Sequence, residues 1–308
     1  MPPPQTLRLG TRGSKLALIQ SQWVANRLRE CYPTLDVQLQ TVRTQGDILH
    51  SASLSQIGGS GVFVKEIEAA LLADEIDLAV HSLKDLPLDQ PPGLVVGAVC
   101  YREDARDVLL SNGADGLDAL PRNGVVGAGS PRRKAQLLAY RPDLTVRDIR
   151  GNVDTRLRKL QQGDYDAIVL AAAGLKRLGH PIRETQYLPF EVMLPAIGQG
   201  ALAVEVREHD AMTLELVARL NDPLAEAATR AEKAFLAAFG GGCAAPVGAY
   251  AEVHGDQIRL WGMVADPAGQ QLLRDETTGP LSAPHEVGQE LAARLLARGA
   301  GQFIARSC

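Results

Sequence analysis

The sequence predicts an α/β fold that ends in a small α+β domain. From residue 6 to about 194, short apolar or β-branched runs alternate with helical stretches, the pattern of helices layered on mostly parallel strands. After about residue 222 the alternation stops, and one long helix is followed by three strand-like runs and a last helix. A chain of 308 residues, 45% hydrophobic and 22% charged, also exceeds one ordinary core, so two or three domains are expected.

Strands are expected at TLRLGT, DVQLQTV, IDLAVHSL, LVVGAV, GVVGAG, LTVRDI and AIVLAAA. Between the first two, SKLALIQSQWVANRLREC places Leu16, Ile19, Trp23 and Leu28 on one helical face; later, GVFVKEIEAALLAD aligns Val64, Ile67 and Leu71. Past residue 222, PLAEAATRAEKAFLAAF opens on proline and closes on glycines, both suited to helix ends. The runs GAYAEV, QIRLWGMVA and QQLLRDETT, separated by HGD and DPAG, read as an antiparallel meander, and HEVGQELAARLLARG as the last helix.

Composition narrows the function. With 32 basic against 36 acidic side chains the net charge is −4, which argues against a general nucleic-acid or acidic-membrane binder; any anion site must be local. The opening MPPPQTLRLG has no cationic stretch leading into an apolar one, and no run approaches the roughly 20 apolar residues that span a bilayer. Cys31, Cys100, Cys243 and Cys308 lie far apart, so neither a disulfide framework nor a metal site is indicated. A cytoplasmic protein is expected.

Three segments run from a strand into a helix start with hydroxyl or amide residues and arginine together: GTRGSKLAL with Arg12 and Ser14, GAGSPRRKAQL with Ser130, Arg132 and Arg133, and IRGNVDTRLRKL with Arg150, Asn152 and Arg156. Free N–H groups at a helix start attract anions, and a guanidinium grips a carboxylate with two parallel hydrogen bonds. Each instance alone reads equally as helix punctuation. Three in one acidic chain point to a ligand with many negative charges. IDLAVHSLKDLP ends a buried strand in His81, Ser82, Lys84 and Asp85, where ligands of open α/β sheets collect; His81 itself reads as a hydrogen-bonded structural residue. DILHSASLSQIGGSGVFVKE (47–66) is long and rich in serine and glycine, as a lid would be, and lacks a nucleotide fingerprint. Cys243 follows three glycines in AAFGGGCAAPVGAY, open to approach from several sides.

In order, TRGSKLAL, GGSGVFVKE, DLAVHSLKDLP, SPRRKAQL, RGNVDTRLRKL, AAAGLKRLG, LPAIGQGAL and GGGCAAPVG resemble the porphobilinogen deaminase (hydroxymethylbilane synthase) family over essentially the whole chain. The resemblance implies two lobes like those of periplasmic binding proteins, 1–100 with 201–218 and 106–194, the chain returning to the first near GALAVEVRE, and a third α+β domain at 223–308. It implies a transferase that condenses four porphobilinogen molecules head to tail, loses ammonia at each step and releases 1-hydroxymethylbilane for tetrapyrrole (heme- or chlorophyll-type) biosynthesis. The growing chain would sit on a dipyrromethane cofactor joined to Cys243 by a thioether. Each porphobilinogen brings an acetate and a propionate, which would explain the clustered arginines.

By the same resemblance Asp85 is the catalytic acid, its ionised carboxylate steadying the cation left by departing ammonia and helping to move protons. Ser14, Lys84, Asp85, Ser130, Arg132, Arg133, Arg150 and Gly151 would hold the cofactor. Arg12, Ser14, Gln20, Phe63, Arg150, Arg156, Arg177 and Gln199 would meet substrate. A monomer is implied, with no metal. The chain departs from the family at Gln56 and Ser60, often lysines, at Ala128 and Gly129, often hydroxyl residues, and at Ala244 after the cysteine. Two rival readings are a capture protein for a carboxylate-rich solute and an enzyme that turns over on Cys243 with His81 as base.

Overall fold

The computed structural model describes residues 6–43, 64–240 and 246–305. It divides into two compact units: residues 1–103 with 201–226, and residues 104–200 with 227–308. Gln56, Ser60, Phe63, Cys243, Ala244 and Cys308 lie outside the described residues.

The first unit is built on a five-stranded sheet in the order β2-β1-β3-β9-β4. Its strands are β1 (Thr6–Thr11), β2 (Asp36–Thr41), β3 (Leu78–Ser82), β4 (Leu94–Val99) and β9 (Leu202–Arg207). β1 pairs in parallel with β2 and β3, whereas β9 runs antiparallel between β3 and β4. The chain thus returns from residue 200 to insert a strand in the middle of its first sheet. Side chains alternate across β3: Leu78 and Val80 join the cluster with Val24 and Leu28 of α1 (Lys15–Cys31), while Ala79 joins Ile67 and Leu71 of α2 (Lys65–Leu72). Helices therefore cover both faces, and β3 is buried along Leu78–His81.

The α2 face follows the sequence pattern, with Val64, Ile67 and Leu71 all buried. The α1 face does so only in part. Leu28 is buried as expected, but Trp23 is 38% exposed, and the helix also buries Gln20, Ser21, Val24 and Ala25. Ser21, Val24, Ala25 and Leu28 recur at i, i+3, i+4 and i+7 and form the packed stripe, and Gln20 beside them donates from Nε2 to Ser82 Oγ at 3.1 Å.

The second unit holds two sheets. One has the order β5-β8-β6-β7, from β5 (Asp107–Ser111), β6 (Val125–Gly127), β7 (Thr145–Arg147) and β8 (Ala167–Ala171). β6 is parallel to both β7 and β8, and β5 is antiparallel to β8. Helices α3 (Pro131–Tyr140), α4 (Val153–Gln161) and α5 (Ala172–Arg177) each start just beyond a parallel strand. The strand β5 was not expected from the sequence.

The other sheet is the antiparallel meander β10 (Val247–His254), β11 (Gln257–Ala265) and β12 (Leu272–Pro280). Its core joins Phe235 and Phe239, from and just beyond α7 (Pro223–Ala237), with Leu291 and Leu295 of α8 (Pro284–Ala297). In the first unit α6 (Ala211–Ala218) lies between β9 and α7 in the chain, and α9 (Gly301–Ala305) ends the described chain. Among the described residues no helix is long and apolar enough to cross a membrane, and no group of three or more His, Cys, Asp or Glu side chains could hold a metal ion.

Candidate functional site

Parallel neighbours deliver their following residues to the same sheet edge. In the first unit β1 and β3 are parallel, so Arg12 and Ser14 after β1 come beside Ser82 at the end of β3 and Asp85 just after it. A pocket opens there, lined by Arg12, Ser14, Gln20, Val64, His81 and Asp85 among others. Ser14 caps α1, its Oγ accepting from Ala17 N at 3.3 Å. A single 3-10 turn, Leu83–Asp85, follows β3 and leaves Asp85 exposed at the pocket while Leu83 is buried. Lys84, half-buried, belongs to the same turn.

His81 lines this pocket from β3 and is nearly buried; its Nε2 lies 3.1 Å from Oε2 of the fully buried Glu205 on β9. It is thus engaged within the sheet, as its place in the sequence suggested. Glu68 of α2 is also buried, and its carboxyl is held above the usual range first by burial and second by the Glu205 charge.

The second unit repeats the arrangement. Ser130 after β6, Arg150 and Gly151 after β7, and α5 with Arg177 after β8 all stand at the carboxyl ends of parallel strands. Ser130 occupies the N-cap of α3 but its side chain makes no cap hydrogen bond, whereas Asn152 caps α4 by accepting from Thr155 N at 2.9 Å. Arg150 pairs with Asp148 at 2.7 Å, Arg156 Nε donates to Gly151 O at 2.8 Å, and Arg177 donates to Gly200 O at 2.7 Å.

Arg132 and Arg133 differ from these, because both are buried in the first turn of α3. Each sends an Nη2 to the fully buried Asp107 at 2.7 Å, one to each carboxylate oxygen. Their Nη1 atoms donate to Leu194 O and Val169 O. Gln199, also buried, completes the cluster by donating to Asp107 at 2.9 Å and to Ala105 O at 2.7 Å. Burial alone would raise the Asp107 carboxyl; the two guanidiniums outweigh it and drive the group far below the ordinary carboxylate range. Arg132 is lowered by burial, which its pairing with Asp107 only partly offsets.

Two guanidiniums against one carboxylate leave a positive charge in excess within this cluster, and among the described residues the buried Nε of both Arg132 and Arg133 has no hydrogen-bond partner. A buried donor without an acceptor costs on the order of 1–3 kcal/mol. The pair is therefore suited to one more carboxylate than the described residues supply, which is the chemistry a dipyrromethane with acetate and propionate arms would offer. The departures at 128 and 129 fit locally: Ala128 belongs to the core, and a Cβ at Gly129 would stand 2.7 Å from Ile149 O.

Asp107 is the residue that sequence reasoning missed. It lies on the unexpected strand β5, and its one visible signal is an acidic residue opening the apolar run DVLL. Of the other cysteines, Cys31 is exposed and Cys100 buried.

Comparison with known proteins extends this picture along the whole chain. Residues 7–215 match the family model described as "Porphobilinogen deaminase, dipyromethane cofactor binding domain", and residues 227–297 match the C-terminal domain of the same family. The porphobilinogen deaminase of Geobacillus kaustophilus is 51% identical over 97% of this chain and 96% of its own length. That of Bacillus subtilis is 46% identical over 98% and 96%. More distantly, a solved nutrient binding protein from Burkholderia cenocepacia overlaps 68% of this chain and 90% of its own, with 13% identity and a TM-score of 0.44. With both family models and relatives near half identical from end to end, the chain belongs to the porphobilinogen deaminase family.

Proposed function

We propose that the chain condenses four porphobilinogen molecules head to tail, with loss of ammonia at each step, and releases 1-hydroxymethylbilane. The reaction is a transferase step of tetrapyrrole biosynthesis and runs on a dipyrromethane held to Cys243 by a thioether. The observation that carries this reading is the pocket beyond β1 and β3, where one carboxylate, Asp85, stands among the donors Arg12, Ser14 and Gln20.

When bound, the dipyrromethane supplies the free pyrrole carbon from which the chain is extended. The residues that would hold it are Ser14, Lys84, Ser130, Arg132, Arg133, Arg150 and Gly151, together with Cys243. The unpartnered Nε atoms of the buried arginines support that role. Arg12, Gln20, Arg156 and Arg177, with Phe63 and with Ser14 and Arg150 shared, are assigned to incoming porphobilinogen, whose two carboxylates match guanidinium and amide donors, while Gln199, buried with its amide donating to Asp107 and Ala105 O, supports the arginine pair.

Asp85 is assigned the chemistry. An ionised carboxylate only accepts hydrogen bonds, so it can take the pyrrole N–H of the substrate and oppose the positive charge that grows as the C–N bond to ammonia breaks. It can also receive the proton shed when the new C–C bond forms. The same reading takes the protein as a cytoplasmic monomer, which sedimentation of the purified chain would check.

The test is turnover of porphobilinogen by Asp85→Asn, followed by ammonia release. The amide keeps the shape and loses the charge, and we expect a fall of about 10²–10³ in kcat. Turnover within a few-fold of the parent protein would remove Asp85 from the mechanism.

A further inference from the structure

Arg274, near the start of β12, is half-buried, and its four side-chain hydrogen bonds all end on uncharged oxygens. Nη1 donates to Phe190 O at 3.0 Å and to Glu191 O; Nη2 donates to Gln136 Oε1 at 2.8 Å and to Val192 O at 3.1 Å. Burial lowers its pKa, opposed only by the charge of Glu191. A guanidinium partly withdrawn from water without a carboxylate in its grip gains no ion pair, so its directional donors are what the fold retains.

Those donors lead to the arginine pair. Gln136 is buried on α3, one turn after Arg132. Its amide closes a two-bond ring with the backbone of Leu194, accepting from Leu194 N at 2.8 Å and donating to Leu194 O at 3.0 Å. Leu194 O is also the acceptor of Arg132 Nη1, and Arg132 Nη2 ends on Asp107. One hydrogen-bonded chain thus runs from β12 through Gln136 and Leu194 to Arg132 and Asp107, all within the second unit. Fixing Gln136 fixes Leu194 O, and that carbonyl sets the plane of the Arg132 guanidinium and the heading of its unpartnered Nε.

We propose that Arg274 is a positioning residue for the cofactor arginines: through Gln136 and Leu194 it holds Arg132 in the orientation that receives a dipyrromethane carboxylate. This rests on the function proposed above, and the two can fail separately.

The experiment measures, by intact mass, the fraction of purified full-length chain that carries the dipyrromethane adduct, with the folded fraction taken from circular dichroism. Arg274→Met and Gln136→Met are each expected to lower loading at least about 5-fold at equal folded fraction. The double variant should load no worse than the poorer single, because both break the same chain. Arg274→Lys keeps the cation but not the fork and should resemble Arg274→Met. Arg259→Ala is the control: that arginine stacks on Trp261 on the neighbouring strand β11, and its loss should leave loading unchanged.

Normal loading of Arg274→Met, or losses that multiply in the double variant, would overturn the inference. If Arg274→Met does not fold, Gln136→Met decides, since it leaves the carbonyls of residues 190–192 with their donor. A parent protein without adduct would instead sink the function.

Discussion

Replacing Asp107 with asparagine keeps the side chain's shape and removes its charge. Asp107 has no solvent exposure and accepts three hydrogen bonds, at 2.7 Å from Arg132, 2.7 Å from Arg133 and 2.9 Å from Gln199. In the variant one oxygen becomes an NH₂ donor facing another donor, and two buried guanidiniums lose their only counter-ion in the cluster. Breaking a buried pair from one side costs about 3–5 kcal/mol, against a total stability of about 5–15 kcal/mol for a domain. At roughly 2–4 °C per kcal/mol for a domain of 150–250 residues, the melting temperature should fall by about 6–20 °C. The assay is a thermal melt of parent and variant at matched cofactor loading, because a bound ligand raises the melting temperature on its own. A fall of less than about 3 °C would refute the idea that Asp107 carries the charge balance of this cluster. A companion triple variant, Asp107→Leu with Arg132→Met and Arg133→Met, removes all the charges together and should melt near the adduct-free parent. It should nevertheless carry no adduct, which would separate the cluster's contribution to ligand binding from its contribution to stability.

Acid provides a second test of the same carboxylate. Its folded-state pKa is depressed, so its contribution is complete above the unfolded carboxylate value of about 3.9 and is lost as the pH falls through the lower folded value. The stability gap between parent and Asp107→Asn should therefore be constant from pH 7 to 5 and shrink below about pH 3.9, as read by urea titrations along a pH series; a gap that already closes at pH 6 would contradict this. In α7, the fully buried Glu232 accepts from Gly198 N at 2.7 Å and Ala251 N at 2.9 Å. Glu232→Ala strands both amides at about 1–3 kcal/mol each, and hydrogen exchange should speed up at Gly198 and Ala251 together; unchanged protection at both would show that the carboxylate is not their anchor.

How far the sequence could be read depended on whether a feature was local. The parallel strands and the helices after them announce themselves by composition and period, and the residues beyond their carboxyl ends were found for that reason, Asp85 and Arg132 among them. Strand β5 was overlooked because DVLLS is short and its partner β8 lies about sixty residues away. With it went Asp107, and hence the fact that the arginine pair already grips a carboxylate of its own. Strand β9 reads as an apolar run, but nothing local says that it inserts between β3 and β4; the family resemblance alone suggested the return. On α1 the large apolar residues pointed to the Trp23 face, whereas the packed stripe runs through the smaller Ser21, Val24 and Ala25 to Leu28, beside Gln20, which bonds Ser82. Glu232 was legible in principle, since it shares a helical face with the buried Ala228, Ala231 and Phe235, where an acid needs a reason.

The most direct measurement is the intact mass of the purified chain beside that of Cys243→Ser. The account predicts that the parent protein carries the added mass of two linked pyrrole units, that the serine variant has the bare polypeptide mass, and that only the parent consumes porphobilinogen. An active parent protein at the unmodified polypeptide mass would contradict it.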